Sequence, residues 1–285
     1  MKNIYEETKF LMKKYNLTAN KKLGQNFLID DEAINKIVDS ANLTKEDLVM
    51  EIGPGLGTLT SMLLEKAGKV IAIELDDRMV KILQDRFLVY NNFELINEDV
   101  LKVNLPELIE ANKQFKSVKV VANLPYYITT PIIMKLLENR LNIESITIMI
   151  QKEVAERIVA TPGSKLSGAI TYSVHYYAEP EEVTIVPNTS FIPSPEVDSE
   201  VIKLVIRKEP PVELKDEKLF FNIIKASFMQ RRKTLANGLV NGGILQNKTE
   251  AVKLLKNIGL EENVRGEELS LEQFAKLSNE IYLRK

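Results

Sequence analysis

Between residues 45 and 150 short apolar runs alternate with helical patterns, and that alternation leaves few folds open. LVMEIG (48–53) reads as a strand and TLTSMLLEKA as the helix that follows it. VIAIEL (70–75) is a strand, followed by the helix DDRMVKILQDRF. FELINED (93–99) and VKVVANL (118–124) are strands, and PIIMKLLENR is the next helix. SITIMI (145–150) is another strand, leading into a helix from Gln151. This spacing requires parallel strands joined by right-handed crossovers, which is a doubly wound α/β sheet. Such a sheet leaves a ligand crevice at the carboxyl ends of its strands. EVTIVP (182–187) and VIKLVIR (201–207) predict a late antiparallel pair at the sheet edge.

KEPPVELKDE (208–217) is charged, proline-containing and aperiodic, so a domain boundary is expected there. Beyond it only helical patterns remain, over 217–240, 249–258 and 270–283. The expected organisation is a basic N-terminal helix or arm (1–28), a catalytic domain (29–208) and a small all-α domain (209–285). The arm carries six lysines against Glu6 and Glu7, which suits a solvated face or one turned to phosphate.

Composition narrows the chemistry. The chain has no cysteine and a single histidine, His175. That excludes disulfides, iron–sulfur clusters, thiolate zinc sites, cysteine nucleophiles and multi-histidine metal sites, so no metal is expected. The formal net charge of −2 means that nucleic-acid binding would have to come from local patches. No apolar run approaches the roughly 18 residues of a membrane-spanning helix, and the N-terminus is too polar for a signal peptide. A cytoplasmic protein off the membrane is expected, and nothing demands more than a monomer.

EIGPGLGTLT (51–60) joins the first strand to its helix. Gly53, Gly55 and Gly57 suit a tight turn with a ligand against bare backbone. Thr58 stands where a dinucleotide fingerprint has its third glycine, which disfavours a pyrophosphate. S-adenosylmethionine, which has no phosphate, is the alternative ligand. Glu74 ends the second strand about 20 residues after the first glycine and can accept both hydroxyls of a ribose, in NAD or S-adenosylmethionine alike. Asp99 ends the third strand, where it can accept from an adenine amino group. Either acid alone reads as a surface residue, but three such features on successive strands converge on one crevice.

NLPYY (123–127) ends the fourth strand. The pre-proline position extends the backbone and aims the Asn123 side chain, the Leu124 carbonyl and the Tyr126 ring into the crevice. Two acceptors and an aromatic plate suit an amino group on a flat ring. The exocyclic nitrogen of adenine is a poor nucleophile because its lone pair is delocalised. Acceptors that hold its hydrogens would localise that pair, and rate would come from positioning and electrostatics, with no histidine or cysteine needed.

KKLGQNFLID (21–30), EIGPGLGTLT, IELD (73–76), NEDVL (97–101), NLPYY, QKEVAERI (151–158), FIPSPEVDS (191–199) and FMQRRKTL (228–235) together resemble the motifs of the ribosomal RNA adenine dimethyltransferases, in order and over nearly the whole chain. The resemblance implies a Rossmann-like class I S-adenosylmethionine-dependent methyltransferase fold with a small all-α C-terminal domain. It implies S-adenosylmethionine as cofactor and S-adenosylhomocysteine as product. It is strongest to members that dimethylate two adjacent adenosines in the 3′-terminal hairpin of 16S ribosomal RNA during small-subunit biogenesis, so the implied partner is 16S RNA in the immature 30S subunit.

By the same resemblance Asn26 and Leu28 cover the cofactor, and Gly53, Gly55, Gly57, Glu74, Asp99 and Asn123 contact it. Asn123 also faces the target amino group, with Leu124 and Pro125 shaping the turn and Tyr126 stacking on the flipped adenine. Phe191 is a candidate for the other face of the base, or a core aromatic before a proline turn. Arg231, Arg232 and Lys233 follow an apolar stripe and serve either the helix dipole or RNA phosphates. Lys21 and Lys22 are further RNA-binding candidates. LSGAITYSVHYY (166–177) departs from the family pattern, with Ser167 before Gly168 and His175 where Gln is common. His175 is expected to be a packed strand residue rather than a catalyst. The competing readings are a 23S methyltransferase of the macrolide-resistance type, a ribosome assembly factor, and an NAD-dependent dehydrogenase. Leu124 and the long helical tail favour the 16S enzyme over the 23S type.

Overall fold

The computed structural model describes residues 3–20, 23–230 and 232–284. The chain forms two compact units, one from 1–155 with 180–206 and the other from 156–179 with 207–285. The first unit opens with α1 (Ile4–Lys14), β1 (Phe27–Leu28) and α2 (Asp31–Ser40). Strands and helices then alternate: β2 (Asp47–Ile52), α3 (Thr58–Lys66), β3 (Lys69–Glu74), α4 (Asp77–Phe87), β4 (Phe93–Asn97), α5 (Leu105–Glu110), β5 (Ser117–Asn123), α6 (Thr129–Glu138) and β6 (Ser145–Gln151). After α7 (Lys152–Val159) and α8 (Ala169–Tyr177) come β7 (Ala178–Val186), β8 (Phe191–Ile192) and β9 (Ser199–Ile206).

Among the described residues the main sheet has seven strands in the order β4-β3-β2-β5-β6-β9-β7. The pairs β2–β3, β3–β4, β2–β5 and β5–β6 are parallel, and β9 runs antiparallel to β6. Every residue of β2 is buried, as a parallel strand covered on both faces must be. Asp30 and Asp76 cap α2 and α4, each accepting from backbone N–H groups of the first turn. The two expected late strands are present as β7 and β9, neighbours at one end of the sheet, with β7 beginning four residues earlier than expected. The strand expected over 93–99 stops at Asn97, so Asp99 sits in the following turn, where its carboxylate accepts from the Leu101 N–H at 2.9 Å.

The second unit holds α8 and four later helices, α9 (Glu217–Phe228), α10 (Leu235–Asn241), α11 (Lys248–Asn257) and α12 (Leu271–Tyr282). Residues 156–179, which the sequence places with the catalytic part, pack here because Tyr172 and Tyr176 join its apolar core beside Phe220 and Phe274. His175 therefore lies on a helix and not on the expected strand. Tyr172 is fully buried and its hydroxyl donates to the Leu269 carbonyl at 2.6 Å. Tertiary burial of this kind overrides the strand preference of a β-branched and aromatic segment. The helix expected over 217–240 breaks after Phe228, and Thr234 caps a new one. Gly238 lets α10 approach α9 closely, since a Cβ there would lie 3.1 Å from the Ala226 carbonyl oxygen.

Candidate active site

Strand register brings the candidate residues to one edge of the sheet. Ile52 lies opposite both Ile73 and Ala122, Glu74 opposite Asn97, and Asn123 opposite Met149. From β2 the strand order runs one way to β4 and the other way through β5. The loops after β2 and β5 therefore diverge and leave a cavity at the switch point. That cavity, with its open mouth, measures about 1200 Å3.

Its floor is the loop after β2. Gly53, Gly55 and Gly57 have φ of +67°, +58° and +78°, a region that side chains with a Cβ rarely adopt. Gly53 and Gly55 line the cavity, and nothing but the Asn123 carbonyl oxygen, at 3.9 Å, would meet a Cβ on Gly53. Gly57 does not line it. A Cβ there would fall 2.6 Å from the Phe87 ring and 2.8 Å from Leu83, so this glycine serves packing against α4 rather than a ligand.

Glu74 is 7% exposed and lines the cavity. Its carboxylate accepts from the N–H of Gly55 at 3.1 Å and of Asp76 at 2.8 Å. Burial raises its pKa, and these donors oppose the rise. Asp76 accepts from Gln25 at 2.8 Å and from Arg78, which ties the segment before β1 to the end of β3. Glu51 was not singled out from the sequence, yet it lines the same cavity, 1% exposed. The Thr60 hydroxyl donates to it at 2.6 Å, and burial pushes its pKa up to about 8. The available signal was a carboxylate in the interior of a parallel strand, flanked on both sides by apolar residues.

Asn123, Leu124, Pro125 and Tyr126 follow one another along the opposite wall. The Asn123 amide nitrogen donates to the Asn26 carbonyl at 3.5 Å, so the side-chain oxygen is the group left to accept. The Leu124 N–H is held by the Met149 carbonyl at 3.1 Å. Tyr126 begins a short turn, Tyr126–Ile128, and its hydroxyl shares a 2.8 Å hydrogen bond with Ser199. Burial raises the Tyr126 pKa. β1 and β8 pair antiparallel, Leu28 opposite Phe191, so the QNFL and FIPSP segments form one flap beside the cavity. Asn26, Leu28, Asp99 and Phe191 all line it, and Phe191 is 3% exposed.

Among the described residues the lining carries the acidic side chains Glu51, Glu74, Glu98 and Asp99 and no lysine or arginine. That charge balance opposes a pyrophosphate and suits a cationic ligand. S-adenosylmethionine fits: it is cationic at sulfur, it has a ribose for Glu74, and it has a flat base for the apolar walls.

A family profile described as ribosomal RNA adenine dimethylase matches residues 16–283. The chain belongs to the ribosomal RNA adenine dimethylase family. The ribosomal RNA small subunit methyltransferase A of Clostridium botulinum is 51% identical over 275 residues, covering 96% of this chain and 98% of that protein. The protein of that name from Lachnoclostridium phytofermentans is 48% identical over 278 residues, covering 97% of this chain and 96% of that protein. A dimethyladenosine transferase from Plasmodium falciparum has a similar solved structure, with TM-score 0.74 and 30% identity, covering 88% of this chain and 95% of that one. The 23S rRNA methyltransferase ErmE follows at TM-score 0.69 and 27% identity, covering 90% and 100% of the two chains. The chain is thus an S-adenosylmethionine-dependent methyltransferase of ribosomal RNA adenine with a Rossmann-like fold.

In this adenine dimethylase Arg232 and Lys233 are exposed in the link between α9 and α10 and do not line the cavity. Arg231, Lys21 and Lys22 lie outside the described residues. No helix among the described residues is long and apolar enough to cross a membrane.

Proposed function

We propose that this enzyme transfers methyl groups from S-adenosylmethionine to the N6 amino groups of two adjacent adenosines in the 3′-terminal hairpin of 16S RNA, within the immature 30S subunit. It acts as a cytoplasmic monomer, without metal and away from membranes. The observation that carries the chemistry is the Asn123–Tyr126 wall facing an acidic, glycine-floored cavity. The small-subunit specificity is supported by relatives at about half identity over nearly all of both chains.

When bound, S-adenosylmethionine supplies an electrophilic sulfonium methyl. Glu74 accepts from its ribose hydroxyls, Asp99 from its adenine amino group, and Asn26 and Leu28 cover it. Burial holds the Glu51 pKa well above its ordinary value, which favours its uncharged form beside Glu74. The target adenine leaves the hairpin loop, where extrusion is cheapest, and lies between Tyr126 and Phe191. The hydrogen bond to Ser199 anchors the far end of the Tyr126 side chain, which lowers the ordering entropy that stacking costs. The Asn123 side-chain oxygen and the Leu124 carbonyl accept from the amino hydrogens. That draws the nitrogen toward tetrahedral geometry and aims its lone pair at the methyl carbon. The same acceptors would stabilise the positive charge that grows on nitrogen as the nitrogen–carbon bond forms and the methyl carbon–sulfur bond breaks, with S-adenosylhomocysteine leaving and the surplus amino proton passing to solvent. Arg232 and Lys233 contribute phosphate contacts.

Asn123→Ala removes one acceptor and leaves the fold, because Asn123 is half-buried at a strand end. Single-turnover methyl transfer should fall about 100-fold or more, in line with loss of one charge-stabilising group. Donor binding by calorimetry should weaken much less. Turnover near that of the wild type would rule out this mechanism.

A further inference from the structure

Among the described residues four aromatic rings line the cavity, and one is held differently from the rest. Phe27 and Phe191 are buried, and Tyr126 is half-buried with its hydroxyl bonded to Ser199. Tyr127, the next residue in the same turn, is 58% exposed. Among the described residues its hydroxyl has no hydrogen-bond partner, so no polar contact of the phenol holds the ring in place. One edge of the ring packs on bare backbone: Gly24 has φ +61°, and a Cβ there would sit 3.4 Å from Tyr127 Cδ1. The ring is therefore braced from the Gly24 side while much of it stays open to solvent at the cavity mouth.

A braced, exposed aromatic at the rim of a site that admits one base of a strand is a stacking surface. An extruded nucleotide remains covalently joined to its neighbours, which must leave through the mouth. Aromatic side chains hold unpaired bases by their π-faces with little regard to sequence. We propose that Tyr127 stacks on the nucleobase adjoining the target adenine, so that the turn Tyr126–Ile128 grips two successive bases, Tyr126 the target and Tyr127 its neighbour. This rests on the proposed function, and it deepens it: each of two adjacent adenosines takes the outer place while the other is methylated.

The test compares wild type, Tyr127→Phe and Tyr127→Ala on immature 30S subunits that lack the modification. KM for the subunit, KM for the methyl donor and the dimethyladenosine formed are measured. Tyr127→Ala should raise the subunit KM about tenfold, the loss of one stacked base. The donor KM should not move, and Tyr127→Phe, which keeps the ring, should behave as wild type. An unchanged subunit KM in Tyr127→Ala overturns the proposal. So does a Phe variant as impaired as the Ala variant, since the hydroxyl would then be the group that matters. A matching rise in donor KM also overturns it, because the ring would then only shape the cofactor cavity. If the wild type binds donor but makes no dimethyladenosine in 16S RNA, the proposed function fails, and the neighbour-base role fails with it.

Discussion

Single residues in this site owe their identity to different forces. Gly53 and Gly57 share positive φ, but only Gly57 is also crowded, with Phe87 and Leu83 where its Cβ would be. Gly57→Ala should cost about 2–4 kcal/mol, combining left-handed strain with overpacking. Gly53→Ala should cost about 1 kcal/mol, from strain alone. Urea unfolding of both variants checks the difference. Glu51 is carried into the fold with its pKa raised from 4.5 to about 8. The native state then holds a proton that the unfolded chain gives up, so this residue's contribution to stability is greatest below about pH 4.5. It declines between about 4.5 and 8. Glu51→Gln removes that loss, and its stability relative to wild type should rise from pH 5.5 to 8.5 in denaturant titrations. A pH-independent difference would mean that Glu51 is ionised in the fold. Glu74 and Asn123 could be placed at the cavity from the sequence because they end strands that flank the glycine loop in a parallel sheet; alone, such an acid reads as a surface residue. Glu51 was passed over, although a carboxylate inside a parallel strand, covered on both faces, has no solvent-facing position to occupy.

Between elements, the glycine loop is held from behind. Arg86 on α4 donates to the Leu56 carbonyl inside that loop, to the Glu7 carboxylate on α1, and to the Ser61 hydroxyl at 3.4 Å. Its side chain is only 11% exposed. Arg86→Ala leaves Glu7 and the Leu56 carbonyl unpaired and should lower stability by about 3 kcal/mol. It should also weaken donor binding, because the loop loses its brace. Thermal unfolding with and without donor separates the two effects. Most of the alternating strands and helices of the first unit were legible because the strands are apolar runs and the longer crossovers amphipathic helices; α2 and the six-residue α5 were not read. α8 was not, because AITYSVHYY has strand-like composition and becomes helical through burial of Tyr172 and Tyr176. The break after Phe228 was equally hidden, since the apolar stripe continues past it.

For the molecule as a whole, the division into units follows space rather than sequence. Residues 156–179 belong with 207–285, and a boundary read from the charged segment at 208–217 finds only one of the crossings. No local pattern marks the others, because they lie inside regular elements. The cavity, by contrast, was foreseeable at this scale, since a doubly wound sheet opens at its switch point whatever the side chains are. Its acidic lining separates a cationic methyl donor from a dinucleotide, and the acceptor wall separates adenine N6 from a hydride site. The central claim is methylation of adjacent adenosines in 16S RNA, and radiolabelled methyl donor tests it most directly. Immature 30S subunits lacking the modification are incubated with enzyme and donor, with 50S subunits alongside, and the nucleosides are separated. Dimethyladenosine in 16S RNA alone is the predicted result; dimethyladenosine in 23S RNA, or in neither RNA, would contradict it.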